Sequence, residues 1–363
     1  MTAGIEAGYL VARPKAGGIE RALFPRRVHM WGKHDCLAST VPVMRDSAFR
    51  IEMTAGCRDC DPIPKVADAG AILVENGERV QIMHNGLRVV ADGYYGTWMS
   101  EIIRRLCGHH EPQEELVFDA ILRLLPERAT MVELGGFWSY YTLWFLHHCG
   151  NRRAYVIEPD PNHIVIGRRN AALNRADISF VQAFIGRETT PDQLFTTETA
   201  GTIRLPMINV ADFIAERRLE TVNILHSDTQ GAEIDLIATC SELFRAGRIQ
   251  FLVLSTHAEA IASDPLIHQR CLQMIEELGG RVLAEHDIHE SFSGDGLIAA
   301  YFGKEPLNWP SLALSYNRYS KSLFRNPLYD LALSRKEVAR LKVEQHQRAM
   351  LDLFDRRMKS YDS

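Results

Sequence analysis

The 363-residue chain lacks any apolar run of about 18 residues, the length that a membrane-crossing helix needs. It also lacks a broad excess of basic side chains: 41 Lys plus Arg stand against 46 Asp plus Glu, a net −5. A general nucleic-acid binder is therefore not expected. The opening segment breaks its short apolar stretches with Glu6, Arg13 and Lys15, so no secretory signal is expected there. Neither G-x-x-x-x-G-K-[ST] nor G-x-G-x-x-G occurs, which disfavours a nucleoside triphosphate or a dinucleotide as ligand. Seven cysteines, an odd count in a long chain, do not suggest a disulfide framework, and a reducing, cytoplasmic setting is expected. The one C-x-x-C, Cys57-Arg58-Asp59-Cys60, has no second pair. With His34 and Cys36 it could form a structural zinc site; ordinary reduced cysteines are the alternative.

What is present is ordinary globular material, 46% apolar and 24% charged, in three stretches. Residues 1–108 are rich in Gly, Pro and Arg and are expected to shape an acceptor site. Residues 109–305 alternate apolar runs with amphipathic segments, and residues 306–363 hold a proline-bearing linker and a charged tail. In the middle stretch, strands are expected at 131–134, 154–157, 178–182, 222–226, 251–256, 281–287 and 297–302. Helices of ten or more residues are expected at 139–149, 162–174, 232–244 and 266–278. Such alternation predicts an α/β fold: a doubly wound, mostly parallel seven-strand sheet. The last two strands have no room for a helix between them, so they should form an antiparallel hairpin.

Ligands of such sheets bind beyond the carboxyl ends of the strands. The first strand end reads Glu133-Leu134-Gly135-Gly136-Phe137-Trp138-Ser139, where two glycines let the backbone approach a ligand and the next helix offers free N–H groups. The second ends in Glu158-Pro159, about 23 residues past Gly135, a carboxylate suited to ribose hydroxyls. The third ends in Gln182-Ala183, suited to an adenine edge. Together these ends describe an adenosine site without a pyrophosphate.

These segments, with His226-Ser227-Asp228-Thr229-Gln230-Gly231-Ala232-Glu233, resemble the FkbM family of S-adenosylmethionine-dependent methyltransferases over roughly residues 109–303. The resemblance implies the class I methyltransferase fold and S-adenosylmethionine as cofactor. The family loop commonly reads D-x-G-A-N-x-G; here Glu133 replaces the Asp, Phe137 the Asn and Ser139 the last Gly. The family also has a Glu-Pro pair upstream, matched by Glu111-Pro112, and the resemblance places Glu111 and Gln113 toward the methionine end of the cofactor. A plain helix start, with proline in the first turn and acids facing the dipole, explains the same residues.

Methyl transfer to a hydroxyl requires a group that takes the hydroxyl proton, and histidine is the common choice. His257, at the end of the fifth strand, is the expected base, against the alternative that it merely caps the strand. Asp228 could hold the cofactor ammonium, orient the base or bind a metal. In a metal-assisted version acting on a vicinal diol, Asp228, His257, Asp287 and His289 would be the ligands. Gln230, His286 and His289 stand at strand ends as candidate substrate contacts. Asn85-Gly86 predicts a hairpin between residues 80–83 and 87–90. Tyr95 and Trp98 after it could stack on a sugar ring, although a core place for Trp98 is the better reading. The tail from Leu328 to Met358 reads as an amphipathic helix, with Leu331, Val338 and Leu341 on one stripe, that packs on its own chain or on a second copy. The expected acceptor is a hydroxyl of a sugar, glycan intermediate or secondary metabolite. A non-catalytic binding module and a nicotinamide oxidoreductase are the rival readings.

Overall fold

The structure, a computed structural model, describes residues 47–317 and, in the tail, 331, 335–336, 338–343, 345–348 and 350. All of them fall within one compact unit, Thr40–Ser363. Seven strands form the central sheet: β1 (Thr130–Leu134), β2 (Arg153–Glu158), β3 (Ser179–Gln182), β4 (Val222–Ser227), β5 (Ile249–Thr256), β6 (Arg281–His286) and β7 (Gly296–Tyr301). Their order is β6-β7-β5-β4-β1-β2-β3, and only β7 runs antiparallel to its neighbours. The α/β sheet with its antiparallel hairpin is thus as the sequence pattern predicts.

The period-two alternation of the strands decides which side chains meet. Met131, Ile224, Phe251, Val253 and Ala299 join one apolar cluster with Phe118, Tyr140, Phe145 and Ala171 of the covering helices. Val132, Leu134, Leu225, Leu252, Leu254 and Ile298 join the opposite cluster with Phe213, Leu236, Phe244 and Ile275. Glu133 and His226, cross-strand partners, follow the parity of Met131 and Ile224 and so point beneath the helix Pro112–Leu122. Residues 47–108 contribute to the same first cluster through Met83, Val89, Met99 and Ile102. The Asn85-Gly86 hairpin forms as expected, pairing Val80 with Val90, and Ile72–Glu75 adds a third strand.

A second small sheet, Phe184–Ile185, Thr190–Thr196 and Thr202–Ile208, is an insertion that the sequence pattern does not announce. Its prolines read as loop signals, yet Pro206 falls where the register shifts between Gln193↔Leu205 and Thr190↔Met207. An irregular position of this kind is one place in a sheet that accepts a proline. The expected helix at 232–244 is broken into Glu233–Thr239 and Ser241–Arg245. Of the tail, the described residues are helical and exposed, including Leu331, Val338 and Leu341; Leu328 and Met358 lie outside the described residues. No helix among the described residues is long and apolar enough to cross a membrane.

Candidate active site at the carboxyl ends of the strands

The loop after β1 turns sharply. Gly135 has φ +74°, and a Cβ there would overlap the carbonyl oxygen of Asp228. Only glycine lets the β1 and β4 ends approach this closely. Phe137 and Ser139 also take left-handed conformations, at φ +37° and +61°. Ser139 is the residue before the helix Tyr140–His148, but its hydroxyl makes no capping bond and is buried without a hydrogen-bond partner. No hydroxyl cap is therefore formed at this helix. A left-handed backbone at that position replaces the extended one that a capping side chain requires.

Glu158, buried at the end of β2, accepts the Phe137 N–H at 3.0 Å through Oε2 and the Asp160 N–H at 2.9 Å through Oε1. Its Oε1 also lies 3.3 Å from Nδ1 of His163. A carboxylate offers about four acceptor positions, so Oε2 retains one for a ribose hydroxyl. The Phe137 ring stacks on His163 at 3.5 Å between centroids and lies against Tyr94 and Tyr95. The adenine expectation fares differently. Gln182 is exposed and reaches only the Pro159 carbonyl, at 3.4 Å, while the Ala183 N–H is spent on the Glu158 carbonyl.

Glu133 is buried under the covering helix, where Thr142 donates to it, and its carboxylate lies against Gly136 of the loop. Burial raises its carboxyl to about 7, against the opposing pull of His226 and Thr142. His226 pairs with Glu114 at 2.8 Å. Burial alone would lower that histidine; Glu114 and the nearby carboxylates raise it instead. Glu111 begins the helix Pro112–Leu122 and accepts a hydrogen bond from Tyr141 Oη at 2.8 Å. Gln113 is a correction to the sequence reading. Its amide donates to the carbonyls of Glu290 and Ser315 and accepts from the Phe292 N–H, so it ties two loops together and has no group left for a cofactor.

On the other side of Gly135, Asp228 follows β4 and His257 follows β5. Nε2 of His257 lies 2.8 Å from Oδ1 of Asp228, and Nδ1 lies 2.7 Å from Oε1 of Glu233. Burial would lower the histidine, but Asp295, Asp228 and Glu233 together hold it well above its usual value. A carboxylate at each nitrogen favours the charged ring, which works against its taking an acceptor's proton. His257 is accordingly corrected from base to charged clamp. Asp228, which burial would raise, is lowered by that clamp.

Both nitrogens of His257 face carboxylates, Asp228 and Glu233, rather than a position shared with Asp287 and His289. Asp287 turns back to accept the N–H groups of His289 and Glu290. Asp228, His257, Asp287 and His289 do not bring three ligand atoms together; among the described residues only His84, His109 and Glu115 do, within 4.8 Å. That buried group fits an ion poorly. The His84 and His109 rings are stacked 4.2 Å apart at 15°, so their lone pairs run side by side. Glu115 is already engaged by His109 and by the N–H groups of His110 and Glu111. Of the zinc expectation, His34 and Cys36 lie outside the described residues, and Cys57 and Cys60 are buried free thiols. Burial pushes Cys57 up to about 12 and Cys60 upward as well, away from the thiolate that zinc requires.

His286 is 2% exposed and, through burial, lowered to about 4. His289 is buried too, and Gln230 is exposed on a left-handed turn at φ +47°. Tyr95 is half-buried and stacks on Trp98 at 6.0 Å, with Arg50 over the Trp98 ring at 4.8 Å. Tyr94, of the same aromatic run, stacks on Trp138 at 4.5 Å, and burial, with Glu111, Asp228 and Asp295 adding, raises its hydroxyl well above its usual value.

Asp295 is the larger omission. It precedes β7, and because β7 is antiparallel its first residues lie where the parallel strands end: Gly296 pairs with Thr256. The signal was available in Gly294-Asp295-Gly296, an acid between glycines at the start of a reversed strand. Asp295 Oδ1 is 3.8 Å from Nε2 of His257. Burial, with Asp228 and Glu111 adding to it and His257 opposing, raises this carboxyl to about 7.

A seven-strand sheet of this order, with a glycine turn after β1 and a buried acid ending β2, is the class I methyltransferase fold. Residues 128–282, a little under half of the chain, match the family model described as Methyltransferase FkbM domain. No curated protein matches the chain. Among solved structures, precorrin-6y C5,15-methyltransferase from Geobacter metallireducens GS-15 is similar at 12% identity, covering 52% of this chain and 88% of that one, with a TM-score of 0.34. TrmK of M. capricolum in complex with S-adenosyl-homocysteine is 12% identical, over 62% and 85%, with a TM-score of 0.33. Cofactor-bound Rv0187 from MTB is 13% identical, over 53% and 80%, at 0.36.

Proposed function

We propose that the chain transfers the methyl of S-adenosylmethionine to a hydroxyl oxygen, and that the acceptor is a sugar, a glycan intermediate or a similarly hydroxylated metabolite. The observation that carries this reading is the pair of carboxylates Asp228 and Asp295, 2.8 and 3.8 Å from His257 Nε2, with the rings of Tyr94 and Tyr95 packed on Phe137 of the glycine loop. Carboxylates accept hydrogen bonds from hydroxyls, and an aromatic face packs on the C–H face of a sugar ring. Residues 47–108 supply Tyr94, Tyr95 and Trp98, which is the basis for assigning that region to acceptor shaping.

The bound cofactor supplies a methyl already activated on a sulfonium. The chain's own part is placement. Glu158 offers Oε2 to the ribose, the Gly135 turn brings the β1 and β4 ends together, and the Asp228–His257–Glu233 chain fixes the charge beside them. Holding both partners in line accounts for most of the acceleration expected in such a displacement.

The test is a product screen. Isotopically methyl-labelled S-adenosylmethionine is incubated with methyl glycosides, myo-inositol, simple phenols, amines and thiols, and products are read by mass spectrometry. Label in a methyl ether is the expected result. Label exclusively in amines or thiols would overturn the reading.

A further inference from the structure

We propose that Asp295 is the general base of the reaction and that His257 is a positioning residue which keeps Asp228 ionised beside it. The proposal rests on the hydroxyl-acceptor reading above and names the group that takes the proton. The hydroxyl proton passes to the Asp295 carboxylate as the acceptor oxygen forms its bond to the methyl carbon. The C–S bond breaks with its electron pair left on sulfur, so that a neutral thioether departs. Charge and atoms balance with no further reactant.

Four observations converge on this residue. The two nitrogens of His257 are committed at 2.7 and 2.8 Å to Glu233 and Asp228, whereas Asp295, at 3.8 Å, lies outside hydrogen-bond range. Asp295 is thus the carboxylate of the three that the imidazolium does not hold by a hydrogen bond. Its side chain is 31% exposed, while Glu133 and Glu114, other acids raised by burial, are 3% and 7% exposed as residues and are enclosed under a helix. The flanking residues are glycines, and a Cβ on Gly296 would come within 2.5 Å of Thr256 Oγ1, so the backbone is pressed against β5 with no neighbouring side chain in the way.

The surroundings then divide the work. The charged and titratable groups facing Asp295 are Asp228, Glu111, His257, Arg50 and the hydroxyl of Tyr94. Burial raises Asp295 to about 7, and Asp228 and Glu111 add to the shift, whereas Asp228 is lowered by the hydrogen bond and charge of His257. Two carboxylates whose environments push their acidities apart mark one fixed charge and one group that exchanges protons near neutrality.

The protein alone gives the first readout. In carbon-13 NMR of aspartate carboxyl carbons, the wild type should show one group titrating near pH 7 that is absent from Asp295→Asn, and the Asp228 signal should move upward in His257→Gln. Absence of that near-neutral group, with the variant shown to be folded by circular dichroism, overturns the proposal. The second readout uses the methyl glycoside or inositol that the wild type methylates fastest. Asp295→Asn should lower kcat by about a hundredfold or more, leave S-adenosylmethionine affinity within about twofold, and abolish the rise in rate through neutral pH. A wild type that methylates no hydroxyl defeats the underlying reading. Hydroxyl methylation that survives in Asp295→Asn, with its pH limb intact, defeats this inference alone.

Discussion

On the β1–β3 side of the sheet, acids are held by backbone: Glu158 accepts the N–H groups of Phe137 and Asp160, and Asp160 accepts those of Asn162 and Thr199. On the β4–β7 side, Asp228 and Glu233 are held by one histidine, and Asp295 stands just beyond it. Against burial, hydrogen bonds from Thr199 and Asn162 hold the Asp160 carboxyl below its usual range. An imidazole and a near-neutral carboxyl instead make the second side responsive to protons. On the proposed function, the difference divides the labour of the site between a cradle for a cofactor that arrives activated and a wall where an acceptor loses a proton.

Gly135 is the seam between the sides, and its replacement should have the largest effect. Gly135→Ala adds a Cβ against the Asp228 carbonyl at a left-handed φ, and a loss of about 2–4 kcal/mol in urea unfolding is expected. A wild-type midpoint would show that the two sides are not packed through this residue.

His257→Gln should be next, at about 3 kcal/mol near pH 6, because it leaves Asp228 and Glu233 without their cation. The folded-state value of His257 is raised. Its contribution is therefore fully present below the unfolded value of about 6.5 and is lost as pH rises through the folded value. The stability gap between variant and wild type should narrow in alkaline solution, and a gap that widens there would break the assignment of an imidazolium.

The smallest effects sharpen the cradle side. Calorimetry with S-adenosylmethionine should show about ten- to hundredfold weaker binding for Glu158→Ala, the loss of charge-assisted hydrogen bonds. Gln182→Ala, an exposed side chain, should change affinity by less than about twofold. Equal losses in the two variants would restore Gln182 to the adenine site.

Local signals carried some of these residues and missed others for identifiable reasons. Gly135 and Glu158 stand at the ends of apolar runs bounded by turn residues, and a run's end is visible in one dimension. Gln113 and Ser139 have the residue types of a binding loop and a cap, but their partners lie far along the chain or are missing altogether. The small sheet of Thr190–Thr196 and Thr202–Ile208 was hidden by prolines that an irregular register accommodates.

The sequence by itself determined the sheet, its reversed last hairpin and the glycine-to-acid spacing of the cofactor side, because the periods of apolar residues and the positions of turn formers are local properties of the chain. Only the tertiary structure decided what each titratable group does. His257 is a base or a clamp according to whether Glu233 and Asp228 occupy its nitrogens, and Asp295 reaches the site because an antiparallel strand begins where parallel ones end. Proton affinity depends on distances of a few ångströms between groups dozens of residues apart, and residue order alone does not contain those distances.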